Sequence, residues 1–222
     1  MSQLEADPEW VARRDERERF RQRRTADYDR AAAPLKAELA EAGFEVESIA
    51  DLYGERRTYR AAVPILLRWL PRIEHSAVKE SVVRALTVKW AHPQAAPVML
   101  EELRRLRESS DRSLRFAVAN ALTEVADDSV FDDVVALARD RRYSVGERGL
   151  LTLALANMRE RREGAIQVLR QLLCDDVAPH AVTALGELHA EEARAEIEPF
   201  LEHPAASVRK EAKKAIKKID KK

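Results

Sequence analysis

Five histidines, one cysteine and several adjacent acid pairs are the side chains of this 222-residue sequence whose types could make or break bonds. The histidines stand at His75, His92, His180, His189 and His203, and no two are four residues apart. A zinc site needs imidazoles, thiolates or carboxylates converging at short spacing, commonly two on one helical face. None of the five has such a companion, so no metal and no cofactor are expected. His92 and His203 precede prolines at the ends of helical runs, where an imidazole complements the negative end of the helix dipole. Cys174 closes the apolar run QVLRQLLC and reads as a buried core thiol rather than a nucleophile. A lone cysteine cannot form an intramolecular disulfide, and a reducing, cytoplasmic location is expected.

The acid pairs Glu101-Glu102, Asp127-Asp128, Asp132-Asp133 and Asp175-Asp176 fall at turns or helix starts. There carboxylates cap helices and complement the dipole, a commoner role than a catalytic dyad. The sequence has no glycine-rich phosphate loop, no Gly-x-Ser-x-Gly elbow and no Cys/His nucleophile arrangement. No catalytic residues are assigned, and the chain is not expected to be an enzyme. The aromatic residues suit recognition better. Trp69 and Trp90, the latter four residues after Leu86 and off the centre of the buried stripe, read as core or inter-helix fillers. An aromatic anchor on an interaction surface is the other reading, and the same two readings apply to Phe116 beside Arg115.

The elements that must position these residues are helical. Ala, Leu, Glu and Arg dominate, glycine numbers six, and aromatic residues are 5% of the chain. No segment alternates apolar and polar residues long enough to read as a strand. Charge balances at 39 basic and 39 acidic side chains, but not evenly along the chain. Residues 1–30 hold eight of each, residues 31–203 hold 23 basic against 29 acidic, and residues 204–222 hold eight against two. Nucleic-acid binders carry a basic patch on their body. Here the body is acidic and only the tail is basic, so a nucleic-acid partner is not expected. The N-terminal residues lack the apolar core of a secretory leader, and no run is long enough to span a membrane.

Self-similarity organises the rest. Five segments carry an apolar residue followed at +4, +7 and +8 by small or apolar ones. They are Val78-Val82-Ala85-Leu86, Leu114-Val118-Ala121-Leu122, Val145-Gly149-Thr152-Leu153, Val177-Ala181-Ala184-Leu185 and Val208-Ala212-Ala215-Ile216. That spacing is one face of an α-helix, and its small residues allow close helix approach. Another apolar helical run precedes each segment, so every unit is an antiparallel helix pair with a short polar turn. The pairs are expected at about 61–91, 94–126, 129–157, 162–190 and 191–219, within a repeat domain over 59–222. Residues 1–30 read as a charged helical arm, and residues 31–58 as N-terminal capping helices. The fold expected is an all-α solenoid of about five helix pairs.

The pattern resembles HEAT repeats, in the short HEAT-like form of phycobilisome lyase-type proteins. Val78-Lys79, Leu114-Arg115 and Val208-Arg209 are similar to the family's Val-Arg pair, and Ala85-Leu86, Ala121-Leu122 and Ala184-Leu185-Gly186 to its Ala-Leu-Gly element. Pairs three and four depart from it, with Gly146 and Ala178 where a basic residue is expected. In HEAT-like arrays the second helices usually line the concave face. Column arithmetic then names a stripe of Arg84, Asn120, Leu151, Thr183 and Lys214. The partner-binding residues expected are Arg84, Trp90, Phe116, Asn120, Thr183 and Lys214. Their mixed polarity suits a protein or peptide partner, bound by a non-enzymatic scaffold that is a monomer or weak oligomer. HEAT-like alkylpurine DNA glycosylases, of similar size, supply the alternative of nucleic-acid binding or base repair. The repeat subtype supplies a further one, lyase-like chromophore attachment.

Overall fold

The computed structural model describes residues 8–54 and 58–221. Residues 1–7, which belong to the segment weighed against a secretory leader and to the expected arm, lie outside the described residues, as do 55–57 and 222. All described elements are helical, and among the described residues there is no strand. They are α1 (Pro8–Glu41), α2 (Asp51–Gly54), α3 (Val63–Trp69), α4 (Ser76–Leu86), α5 (Ala95–Arg105), α6 (Arg112–Val125), α7 (Phe131–Arg139), α8 (Val145–Ala154), α9 (Arg162–Leu172), α10 (Ala178–Glu187), α11 (Arg194–Ile197) and α12 (Ala206–Ile219). From α3 onward they run as five consecutive pairs, the architecture of an α-solenoid. The chain divides into two compact units, Met1–Val82 and Val83–Lys222.

In the first unit α1 is continuous across residues 30 and 31, where a boundary between arm and cap was expected. Ala31-Ala32-Ala33 at that junction is the strongest helix-forming tripeptide the chain could place there, so nothing breaks the helix. Its buried residues, Ala32, Leu35 and Leu39, form a single short stripe at the C-terminal end. Gly43 then takes φ +87° and Phe44 N–H returns to the Leu39 carbonyl at 2.8 Å, which ends the helix in the left-handed conformation that glycine tolerates. Trp69 of α3 donates its indole N–H to Glu38 of α1 at 2.5 Å, and Arg68 pairs with the same carboxylate. Trp69 is therefore held as a strut inside this unit.

The second unit is a succession of helix pairs. α5 packs on α6, α7 on α8, α9 on α10 and α11 on α12, while α6, α8, α10 and α12 stack in turn on one another. Small residues make that stack possible. Ala121, Ala154, Ala181, Ala184, Ala212 and Ala215 are buried, and a Cβ on Gly186 would lie 2.6 Å from the Cα of Ala215. The α10 and α12 backbones thus meet at a distance that only glycine allows. Turn chemistry starts the helices. Asp111 accepts the Leu114 N–H at 2.9 Å, and Ser144 and Glu147 form a reciprocal capping box at α8. Pro199, in the run AEIEPFLEH, has no N–H for the helical ladder, and from Glu198 the chain continues as a 3-10 turn.

Pair three corrects the expected register. Val145, the proposed first core position, is 45% exposed, and Leu151, placed on the exposed stripe, is fully buried. The skeleton of α8 is instead Glu147-Leu151-Ala154-Leu155, all buried and with the same +4, +7, +8 spacing. Leu153 then takes the stripe position. A carboxylate occupies a slot that is apolar in the other four pairs.

Candidate interaction surface

Arg115 explains why Glu147 can sit in the core, and the adjacent Arg148 is buried with partners of its own. Arg115, the basic residue of α6, donates Nε–H to the Glu147 carboxylate at 2.8 Å and Nη1–H to the carbonyls of Ser109 at 2.7 Å and Arg107 at 3.2 Å. Arg148, next to Glu147, is 2% exposed and donates to the Ala138 carbonyl at 2.9 Å and to Asp175 and Asp176 at 2.6 Å each. Arg148 occupies the basic column in pair three, so the expected departure at Gly146 is corrected: it arose from the slipped register. Arg209 likewise donates to the carbonyls of His203 and Pro204, at 2.7 and 2.8 Å. Arg115 and Arg209 thus satisfy carbonyls of the turn before their own helix, and Arg148 one in the last turn of α7. Arg115 and Arg148 also reach acids of the following pair. Burial pushes the Glu147 carboxyl up, but the Ser144 N–H and the Arg115 guanidinium outweigh it and hold it below the usual carboxylate range. The Asp176 carboxyl and the Arg148 guanidinium hold Asp175 well below that range.

Glu147 of this cluster lines a cavity of about 350 Å³ together with Arg84, Arg112, Ser113, Phe116, Ala117 and Ser144. Phe116 is 50% exposed. Its ring lies over Gly146, where an added Cβ would be 3.7 Å from it. Arg84 and Arg112 bring two guanidiniums to the cavity lining, and the Glu147 charge there is matched by Arg115. An aromatic ring beside two guanidiniums suits docking of an apolar side chain with an acidic neighbour.

Of the six expected residues, the structure brings Arg84 and Phe116 to this one cavity. Asn120, Thr183 and Lys214 hold the same helical position as Arg84 on α6, α10 and α12, but outside the cavity. Asn120 and Lys214 are exposed, with Lys214 paired to Glu211 at 2.8 Å; Thr183 is half-buried and donates its hydroxyl to the Pro179 carbonyl. Trp90 is 38% exposed but sits in the 3-10 turn Lys89–Ala91, off the second helices. Close by in sequence, His92 meets Asp127 at 2.8 Å.

Cys174 is exposed, not buried. α9 ends at Leu172, and Cys174 falls in the following turn, past the buried stripe of Ala165, Ile166, Leu169 and Leu172. It borders a cavity of about 630 Å³ with Leu173, Pro199 and Phe200, over which Arg170 and Glu196 pair. In sequence His180 is one of five histidines without a ligand companion, and what sets it apart lies in a neighbour. A Cβ on Gly149 would come within 2.5 Å of its ring, and its Nδ1 is buried without a hydrogen-bond partner. Burial lowers its pKa, against a smaller opposing contribution from its backbone contact at Val177. Among the described residues no three His, Cys, Asp or Glu side chains group as a metal site requires, and no helix is long and apolar enough to cross a membrane.

No protein-family model matches the chain, and no curated protein does. Solved structures do. An engineered protein from a structural-genomics effort is 20% identical, with 87% of this chain and 96% of that one covered at a TM-score of 0.51. A designed armadillo repeat protein is 18% identical over 88% of this chain and 93% of its own, at 0.48. Another, solved in complex with a (KR)4 peptide, is 17% identical over 90% and 92%, at 0.48. The likeness is one of fold, a helical repeat solenoid.

Proposed function

We propose that the chain is a non-enzymatic scaffold of short HEAT-like repeats that holds a protein or peptide segment along the exposed face of its successive second helices. The observation that carries this reading is the row Arg84, Asn120, Leu153, Thr183 and Lys214. It occupies one helical position repeated pair by pair, and its first member opens onto the Phe116 cavity. An extended segment laid across such a stack meets one residue of this row per pair, and Phe116 with Arg84 supplies the anchor. The segment that fits carries an apolar side chain beside an acidic one. The cytoplasm and a monomeric or weakly associating state belong to the same proposal.

The test is selection from a random peptide library against the whole chain at physiological salt. Enriched peptides should share an acidic-apolar pair, and their binding should fall at least tenfold with Phe116→Ser or Arg84→Glu. Absence of any enriched motif, or binding indifferent to both substitutions, would refute the reading.

A further inference from the structure

α1 carries a surface that the helix pairs do not use. From Pro8 to Ala31 every side chain of this helix is exposed or half-exposed. Trp10 to Arg24 contains seven arginines and three acids, and the helix sorts them. At about 100° per residue, Arg13, Arg14, Arg17, Arg21 and Arg24 share roughly 120° of the circumference with Trp10 and Phe20, over about 21 Å of helix axis. Asp15 falls on the far side with Arg19 and Arg23, and Glu16 and Glu18 flank the two edges of the arc. The near-neutral sum over residues 1–30 conceals this segregation.

The rings and cations are already interleaved. The Arg14 guanidinium lies 5.4 Å from the Trp10 ring centroid and that of Arg24 lies 5.8 Å from Phe20, which is 60% exposed. Arg13, Arg14 and Arg21 pair with Glu9, Asp15 and Glu18, but both members of each pair face water, so these contacts are weak and replaceable. Arg17 and Arg24 make no ion pair among the described residues. No leucine, isoleucine or valine lies between the two rings on this face, so it lacks the apolar stripe with which a helix enters a lipid surface. An acidic protein would match the arginines but leave the rings unexplained.

We infer that the Trp10–Arg24 face of α1 binds single-stranded nucleic acid, with guanidiniums on phosphates and bases stacked on Phe20 and Trp10. Arginine forks match phosphate oxygens, and aromatic rings accept any base face, which makes the contact tolerant of sequence. This surface is separate from the second-helix row and stands or falls independently of it.

Fluorescence anisotropy of fluorescein-labelled dT20 with the full chain tests the inference. Five phosphate contacts on a single strand predict an affinity that falls roughly 100-fold between 50 and 200 mM salt. The double substitution Arg17→Gln/Arg24→Gln, which preserves helix propensity, should reduce that span to roughly 20-fold. Phe20→Ala should weaken dT20 binding about tenfold while leaving heparin binding unchanged. Lys217→Gln/Lys218→Gln in α12 should change nothing. No binding at 50 mM salt overturns the inference. So do Phe20→Ala without effect, phosphatidylserine vesicles bound as well as dT20, or binding that follows the α12 lysines; circular dichroism verifies that each variant keeps its helix content.

Discussion

Arg115 and Glu147 join two helix pairs through a hydrogen-bonded ion pair of 2.8 Å, with Glu147 2% exposed and Arg115 16%. The second carboxylate oxygen of Glu147 accepts the N–H and the hydroxyl of Ser144, both at 2.8 Å, so one side chain caps α8 and ties it to α6. Glu147→Gln keeps the shape but loses the charge opposite Arg115, and should cost about 2–3 kcal/mol in urea unfolding.

The pH dependence of that loss has a definite sign. Glu147 has its folded pKa depressed below 4.5, so its stabilising contribution is present above the unfolded value and disappears as pH falls through the folded one. The gap in urea midpoint between wild type and Glu147→Gln should therefore be widest near neutrality and narrow progressively as pH falls below about 4.5.

Gly186→Ala should be destabilising although alanine is the better helix former by about 1 kcal/mol. The added Cβ meets the Ala215 backbone at 2.6 Å, which cannot rotate away, and a net cost of about 2 kcal/mol is expected. Gly146→Ala, whose Cβ would have nothing nearer than 3.7 Å, should be neutral or slightly stabilising in the same thermal melts.

Gly149 and His180 should behave as one unit. Gly149→Ala should lower the melting temperature, and adding His180→Ala should recover part of that loss, a coupling of about 1 kcal/mol or more in a double-mutant cycle.

His180 should also make stability pH-dependent. Its pKa is depressed in the folded state, so below the unfolded value, near 6.5, the unfolded chain binds more protons and stability falls as pH drops. Melting temperatures recorded from pH 7.5 to 5 should decline more steeply for wild type than for His180→Ala; parallel curves would deny the imidazole this role.

Exposure of Cys174 makes a simple expectation: the native chain should react fully with a thiol reagent without denaturant, one thiol per chain. A thiol that titrates only after unfolding would restore the buried reading.

Helix pairs were legible in the sequence because small and apolar residues recur at fixed spacing and turns carry their own caps. The stripe position of Arg84, Asn120, Thr183 and Lys214 was legible for the same reason. What misled was a substitution of kind. The search for an apolar opener passed over Glu147 and settled on Val145, because a carboxylate in a core slot is acceptable only with Arg115 beside it, 32 residues away in sequence. Cys174 misled similarly, since an apolar run does not say where its helix stops. The arginine face of α1 was hidden by counting charges without placing them around the helix.

Repeat arrays are often pictured as strings of exchangeable parts. Gly149 and His180 argue for a keyed order instead, as do Gly186 and Ala215. α10 presents an imidazole to α8, the second helix of the preceding pair, and a bare backbone to α12, that of the following pair. In a chain where the α9–α10 pair was copied in tandem, the second imidazole would face Pro179, which stands in register with Gly149. Lengthening by duplication is therefore closed at this joint, and the succession of pairs is fixed by complementary shapes that no single pair contains.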